Sequence, residues 1–230
     1  MCGRFTLTTT DTQKLKDTFD ISDVRVDNIQ PRYNIAPTQN ILTVVADSNG
    51  ERYLGAMRWG FLPSWHKDET KLNGFINARS ETAADKPTFR SAFTKRRCLV
   101  VADGFYEWQK QDEGSKVPMY IQLSQHGPFG MAGLWERYQN PATGEVWVTC
   151  TILTTAANGF MKPIHDRMPV IMPENQYAEW LDPENQDKER LQALLNPAPE
   201  DWLVTYPVST EVNNVRNDNP NLLERVDYSA

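Results

Sequence analysis

The chain has 230 residues, 40% hydrophobic and 23% charged, with seven Trp, eight Tyr and nine Phe. At a mean hydropathy of −0.58, and with no run near the roughly 20 apolar residues of a membrane helix, this composition excludes both a membrane-embedded and a disordered chain. The formal net charge is −6 but unevenly spread: residues 1–110 hold 16 Lys+Arg against 13 Asp+Glu, residues 111–230 hold 8 against 17, and residues 52–97 alone hold 10 against 4, a local net of +6.

In chain order, Thr10-Asp11 followed by Leu15 and Phe19 predicts a short capped helix. Ile41 to Ala46 and Arg52 to Met57 flank Ser48-Asn49-Gly50, the signature of a strand pair across an Asn-Gly turn. Further strands are predicted at Cys98 to Asp103, Phe105 to Lys110, Val117 to Leu123, Gly130 to Trp135, Val146 to Thr154, Pro169 to Met172 and Leu203 to Val208. Asp112-Glu113-Gly114 and Thr143-Gly144-Glu145 supply turns. Helical patterns return at Glu174 to Leu181 and Asp187 to Leu195, punctuated by Pro173, Pro183 and Pro197. Many strands, few helices and no strict βαβ alternation predict an α+β fold: one β-rich domain over residues 1–230, with a curled, barrel-like, mostly antiparallel sheet and flanking helices. No repeat, low-complexity tract or linker divides the chain.

Cys2, Cys98 and Cys150 are odd in number and widely spaced, which argues for reduced thiols and against a disulfide framework or structural zinc. Neither a metal nor another cofactor is expected. A soluble, cytoplasmic location is the default for a chain with no apolar leader.

Cys2 is the most informative position. Its small side chain permits removal of Met1, after which the chain begins with an α-amine beside a thiol. The two nucleophiles are two carbons apart and close to reactive at neutral pH. They suit either attack on an amide or capture of an aldehyde as a five-membered thiazolidine ring. The same cysteine also fits as an apolar residue in an opening strand. His165, in Ile164-His165-Asp166-Arg167-Met168-Pro169, sits where a loop meets a strand and is a candidate acid or base; a structural imidazole fits equally. Glu107, in Asp103-Gly104-Phe105-Tyr106-Glu107-Trp108, is a carboxylate among aromatics, and desolvation suits such a group to proton transfer. Strand alternation puts Phe105 and Glu107 on one face and Tyr106 and Trp108 on the other. Asn77 and Arg79 share a face if Phe75 to Thr82 is extended, offering an amide to orient a substrate and a guanidinium to grip phosphate. Tyr33-Asn34-Ile35-Ala36-Pro37 and Trp59-Gly60-Phe61-Leu62-Pro63-Ser64-Trp65 are loops able to stack on or wedge between bases, or to pack as core.

In order along the chain, Cys2-Gly3-Arg4-Phe5, Tyr33 to Pro37, Trp59-Gly60, Asn77-Ala78-Arg79 with Glu81-Thr82, Asp103 to Trp108 and His165 to Pro169 closely resemble the SRAP family of SOS response-associated peptidase-like, abasic-site processing proteins. The resemblance implies a curled, barrel-like domain with a positive groove for single-stranded DNA, including single-strand/double-strand junctions. It implies that Cys2, exposed by loss of Met1, links covalently to an abasic site, with Asn77, Glu107 and His165 as its active-site companions. DNA contacts are expected from Arg4, Asn34, Pro37, Trp65, Arg79 and Arg167. His66 follows Trp65 where some members carry a second tryptophan. A monomer that captures abasic sites is the reading adopted. The alternatives are a thiol autopeptidase or N-terminal nucleophile amidohydrolase using Cys2, and a single-strand binding module that needs no intact Cys2.

Overall fold

The computed structural model describes residues 2–68, 70–112 and 114–228; Met1 and Glu113, on which the loss of Met1 and one predicted turn depend, lie outside them. The chain opens with β1 (Arg4–Leu7), α1 (Thr12–Phe19), β2 (Asp23–Val24) and β3 (Arg32–Ile35), then pairs β4 (Asn40–Ala46) with β5 (Arg52–Trp59). β6 (Asn77–Arg79) runs directly into the single turn of α2 (Ser80–Ala83), and α3 (Arg90–Lys95) follows. Five long strands come next: β7 (Arg97–Ala102), β8 (Gly104–Lys110), β9 (Lys116–Leu123), β10 (Phe129–Gln139) and β11 (Val146–Ala156). β12 (Arg167–Pro169), β13 (Ile171–Met172), α4 (Tyr177–Leu181), α5 (Lys188–Ala193) and β14 (Leu203–Pro207) complete the regular elements.

Strands β5, β4, β7, β10 and β11 pair in succession, and β11 returns to β5 through Thr149↔Arg58 and Cys150↔Trp59. The ring is therefore closed, which leaves it no free edge. A second sheet has the order β14-β9-β8-β1-β3. Pairing is antiparallel except where β11 meets β5 and β6, and where β2 meets β5, so the expected α+β, mostly antiparallel, barrel-like architecture is what the chain adopts. One hydrophobic cluster runs from Cys2 to Leu203; a smaller one gathers Tyr106, Tyr120, Val208, Val212 and Leu222 on the outer face of the second sheet. No described helix is long and apolar enough to cross a membrane.

The Asn-Gly hairpin forms because Gly50 takes φ +81° and the Asp47 carboxylate accepts from the backbone N–H of Asn49 and Glu51. The short capped helix forms as well, with Asp11 as the cap of α1, accepting from the N–H of Gln13 and Lys14. Other elements differ from the sequence reading. The predicted strand from Pro169 to Met172 divides at Val170: β12 pairs with β11 whereas β13 pairs with β10. Val170 itself donates to Leu153 and accepts from Ala132, handing the chain from one barrel strand to its neighbour. The predicted helix from Glu174 opens as a 3-10 turn over Glu174–Gln176 before α4, and the one from Asp187 ends at Ala193.

Candidate active site

Cys2 reaches its place through β1. The Asp103 side chain accepts from the Thr6 hydroxyl at 2.7 Å and from the N–H of Thr9 at 3.0 Å, fixing the exit of β1 over the start of β8. Gly104 is required there, since a Cβ would lie 2.1 Å from the Tyr120 hydroxyl. The register that follows, Arg4↔Tyr106 and Phe5↔Phe105, carries the residues before β1 alongside Glu107 and Trp108. Alternation along β8 is as expected: Phe105 joins the main core that holds Cys2, while Tyr106 and Trp108 turn to the outer cluster. Glu107 shares the inward face and is 2% exposed.

Cys2 is fully buried. Burial pushes its thiol well above the ordinary range, and the Glu107 carboxylate pushes it further by repelling a thiolate; a hydrogen bond from the backbone N–H of Arg4 acts in the opposite direction. Asn77 holds the same residue from the other side, its Nδ2 donating to the Cys2 carbonyl oxygen at 2.9 Å. Asn77 can do so because β6 pairs in parallel with β11 just beyond the residues that meet β5, with Asn77↔Ile152 in register. The Asn77 Oδ1 is buried without a hydrogen-bond partner among the described residues, so an acceptor is available beside Cys2.

His165 closes a loop whose shape is set by hydrogen bonds. Asn158 Oδ1 accepts from the N–H of Met161 at 2.9 Å and its Nδ2 donates to Ala198 O at 2.7 Å, while the N–H of Gly159 donates to Glu200 at 2.9 Å. Gln109, on the same face of β8 as Glu107, donates to Pro163 O at 3.3 Å and ties this loop to the strand carrying the carboxylate. The His165 Nδ1 accepts the N–H of Arg167 at 3.0 Å, and Asp166 Oδ1 lies 2.8 Å from the same nitrogen. Among the described residues no group of three or more His, Cys, Asp or Glu is arranged for a metal ion.

The residues expected at DNA divide by accessibility. Arg79 is exposed and no hydrogen bond or ion pair holds it among the described residues; Trp65 is 61% exposed; Pro37 is half-buried in a turn followed by Thr38 at φ +73°. Arg4 is half-buried, and its guanidinium donates to Asn34 Oδ1 at 2.9 Å and to Val212 O at 2.8 Å. Asn34 is fully buried, with Nδ2 donating to the carbonyls of Val212, Asn214 and Asn217. The Asn34 amide is engaged inside the protein, fastening the C-terminal segment over β3. Arg167 forms a two-pronged pair with Glu81 at 2.6 and 2.9 Å and also donates to Thr154. Its guanidinium keeps the Glu81 carboxyl below the usual carboxylate range. This pair spans β11, tying the corner that carries Asn77 and Arg79 to the strand that follows His165. Sequence reasoning missed both the Glu81–Arg167 pair and the Arg4–Asn34 network, whose partners are 86 and up to 208 residues apart.

A family model described as SOS response associated peptidase (SRAP) matches residues 1–215. A Bacillus subtilis (strain 168) protein named abasic site processing protein YoqW is 44% identical over 225 residues, covering 97% of this chain and 99% of its own. Abasic site processing protein HMCES of Xenopus tropicalis is 37% identical, covering 87% of this chain and 68% of its own. Among solved structures, a Bacteroides thetaiotaomicron protein superposes with a TM-score of 0.86 over 98% of this chain at 24% identity, which bears on the fold alone.

Proposed function

This chain belongs to the SOS response associated peptidase (SRAP) family, and we propose that it captures abasic sites in single-stranded DNA through a thiazolidine formed on Cys2 after Met1 is removed. The observation that carries the reading is the setting of Cys2: fully buried, held through its carbonyl by Asn77, with the Glu107 carboxylate close enough to act on its thiol.

The chemistry follows from that setting. An abasic deoxyribose is mostly a closed hemiacetal, and His165 is assigned the proton delivered to the ring oxygen as the C1′ aldehyde opens. The α-amine of Cys2 adds to C1′ and water leaves, giving an imine. The sulfur then adds to C1′ while its proton passes to the former imine nitrogen, so the ring closes with no net change in protons. A thiol kept protonated by burial and by Glu107 suits this last step. A peptidase nucleophile would instead call for a lowered thiol pKa. Glu107 is assigned removal of the α-ammonium proton and assistance to water on reversal; Asn77 orients the Cys2 backbone and presents Oδ1 to the sugar. Arg79 and Trp65, both exposed, are the assigned contacts to phosphate and base. We extend the reading to a monomer acting in the cytoplasm.

Single-turnover crosslinking to an abasic single strand tests these roles. General acid–base catalysis contributes about 10²- to 10⁴-fold, so His165→Ala and Glu107→Ala are each expected to slow the reaction while leaving undamaged single strands bound. Wild-type rates in both variants would remove these residues from the chemistry.

A further inference from the structure

The His165 Nδ1 has two neighbours that ask opposite things of it. The N–H of Arg167, 3.0 Å away, needs a lone pair on Nδ1; the carboxylate of Asp166, with Oδ1 at 2.8 Å, needs a proton there. One nitrogen cannot satisfy both in one protonation state. The two neighbours also differ in freedom. The Arg167 N–H belongs to the first residue of β12 and is fixed by the sheet, with Ala156↔Arg167 in register. The Asp166 side chain is 87% exposed, whereas that of His165 is 27% exposed, so the carboxylate can swing toward or away from a ring that stays in place.

We propose that Asp166 is a positioning residue that selects the proton-carrying form of His165. With Asp166 turned away, neutral His165 keeps its one proton on Nε2 and accepts the Arg167 N–H at Nδ1; Nε2 then serves only as a hydrogen-bond donor. With Asp166 turned in, Nδ1 carries a proton toward the carboxylate. The doubly protonated ring can then release its Nε2 proton and remain a neutral imidazole held at Nδ1, with an Nε2 lone pair ready to take a proton back. The same buried orientation logic, a carboxylate fixing which imidazole nitrogen exchanges protons, operates in hydrolytic triads. Here the carboxylate is solvent-facing, so its contribution is that of an exposed pair and is correspondingly small. This inference rests on the proposed role of His165 as proton donor, but the tautomer it concerns exists whatever DNA the protein binds.

The experiment is ¹⁵N NMR of histidine-labelled full-length protein, without DNA, for wild type, Asp166→Ala and Asp166→Glu. In wild type a measurable share of neutral His165 should carry its proton on Nδ1. Asp166→Ala should collapse that share onto Nε2, and Asp166→Glu should restore part of it. Single-turnover crosslinking is expected to slow by about two- to fivefold in Asp166→Ala, the range of an exposed charge pair, with partial recovery in Asp166→Glu. An unchanged tautomer distribution in Asp166→Ala overturns the proposal. If wild type forms no crosslink, the reading of the site as an aldehyde trap fails while the NMR result still decides the tautomer.

Discussion

The side-chain amide of Asn77 donates to the backbone carbonyl oxygen of Cys2 at 2.9 Å, joining β6 of the barrel sheet to a residue two positions before β1 of the second sheet. A donor is needed there, since the group it meets only accepts. Asn77→Ala is expected to lose about 0.5–1.5 kcal/mol of stability, the net value of one hydrogen bond. Asn77→Asp is expected to be worse than Asn77→Ala, because a carboxylate would face the Cys2 carbonyl without a proton to share. Thermal denaturation of the two variants checks the order, and the reverse order would contradict the contact.

The Cys2 thiol is raised first by burial and then by Glu107. Removing the charge without changing shape should lower it, so the pH profile for alkylation of Cys2 by iodoacetamide is expected to move to lower pH in Glu107→Gln. Peptide mass mapping separates Cys2 from Cys98 and Cys150, both fully buried. A profile that does not move would mean that Glu107 exerts no field at the sulfur.

Burial raises the thiols of Cys2, Cys98 and Cys150 and the phenols of Tyr106, Tyr120 and Tyr177 above their ordinary values. In the unfolded chain thiols lose protons from about pH 8.5 and phenols from about pH 10, whereas the folded chain retains them. The unfolded state therefore binds fewer protons above those values, and stability must fall as pH rises. Urea midpoints should be steady below about pH 8 and decline through about pH 9 and 10. A midpoint that holds or rises across that range would contradict the burial of these groups.

Arg4 and Asn34 predict a stability effect that phosphate contact alone would not produce. Arg4 links Asn34 and the Val212 carbonyl, and Asn34 links three carbonyls of the C-terminal segment. Arg4→Ala and Asn34→Ala are each expected to cost about 1–3 kcal/mol, the penalty for leaving buried partners unsatisfied. Arg79→Ala, at an exposed and unheld side chain, should leave the melting temperature unchanged. It should instead weaken binding to all single strands and reduce the salt slope by about 0.7, the value of one single-strand phosphate contact.

How far the sequence could be read depended on whether the decisive contact was local. The Ser48-Asn49-Gly50 turn carries its own geometry, so the β4–β5 hairpin was legible, as was the two-faced alternation of β8 that turns Glu107 inward and Trp108 outward. β1, β3 and β6 are three or four residues long and exist because a distant strand offers an edge, which no local pattern announces. The same limit applied at the site. Cys2, Asn77, Glu107 and His165 stood out by residue type, but the approach of Cys2 to Asn77 and Glu107 follows from the registers of β1 on β8 and β6 on β11. The hydrogen-bond partners of Asn34, near residues 212–217, lie at the other end of the chain, so its part in fastening that segment had no local signal.

Intact-protein mass spectrometry after mixing the protein with an abasic single-stranded oligonucleotide tests the central claim most directly. The account predicts a heat-stable adduct on the chain lacking Met1, its mass the sum of the two partners less one water, mapped to Cys2 and absent in Cys2→Ala. A heat-stable adduct formed by Cys2→Ala as readily as by wild type would contradict it.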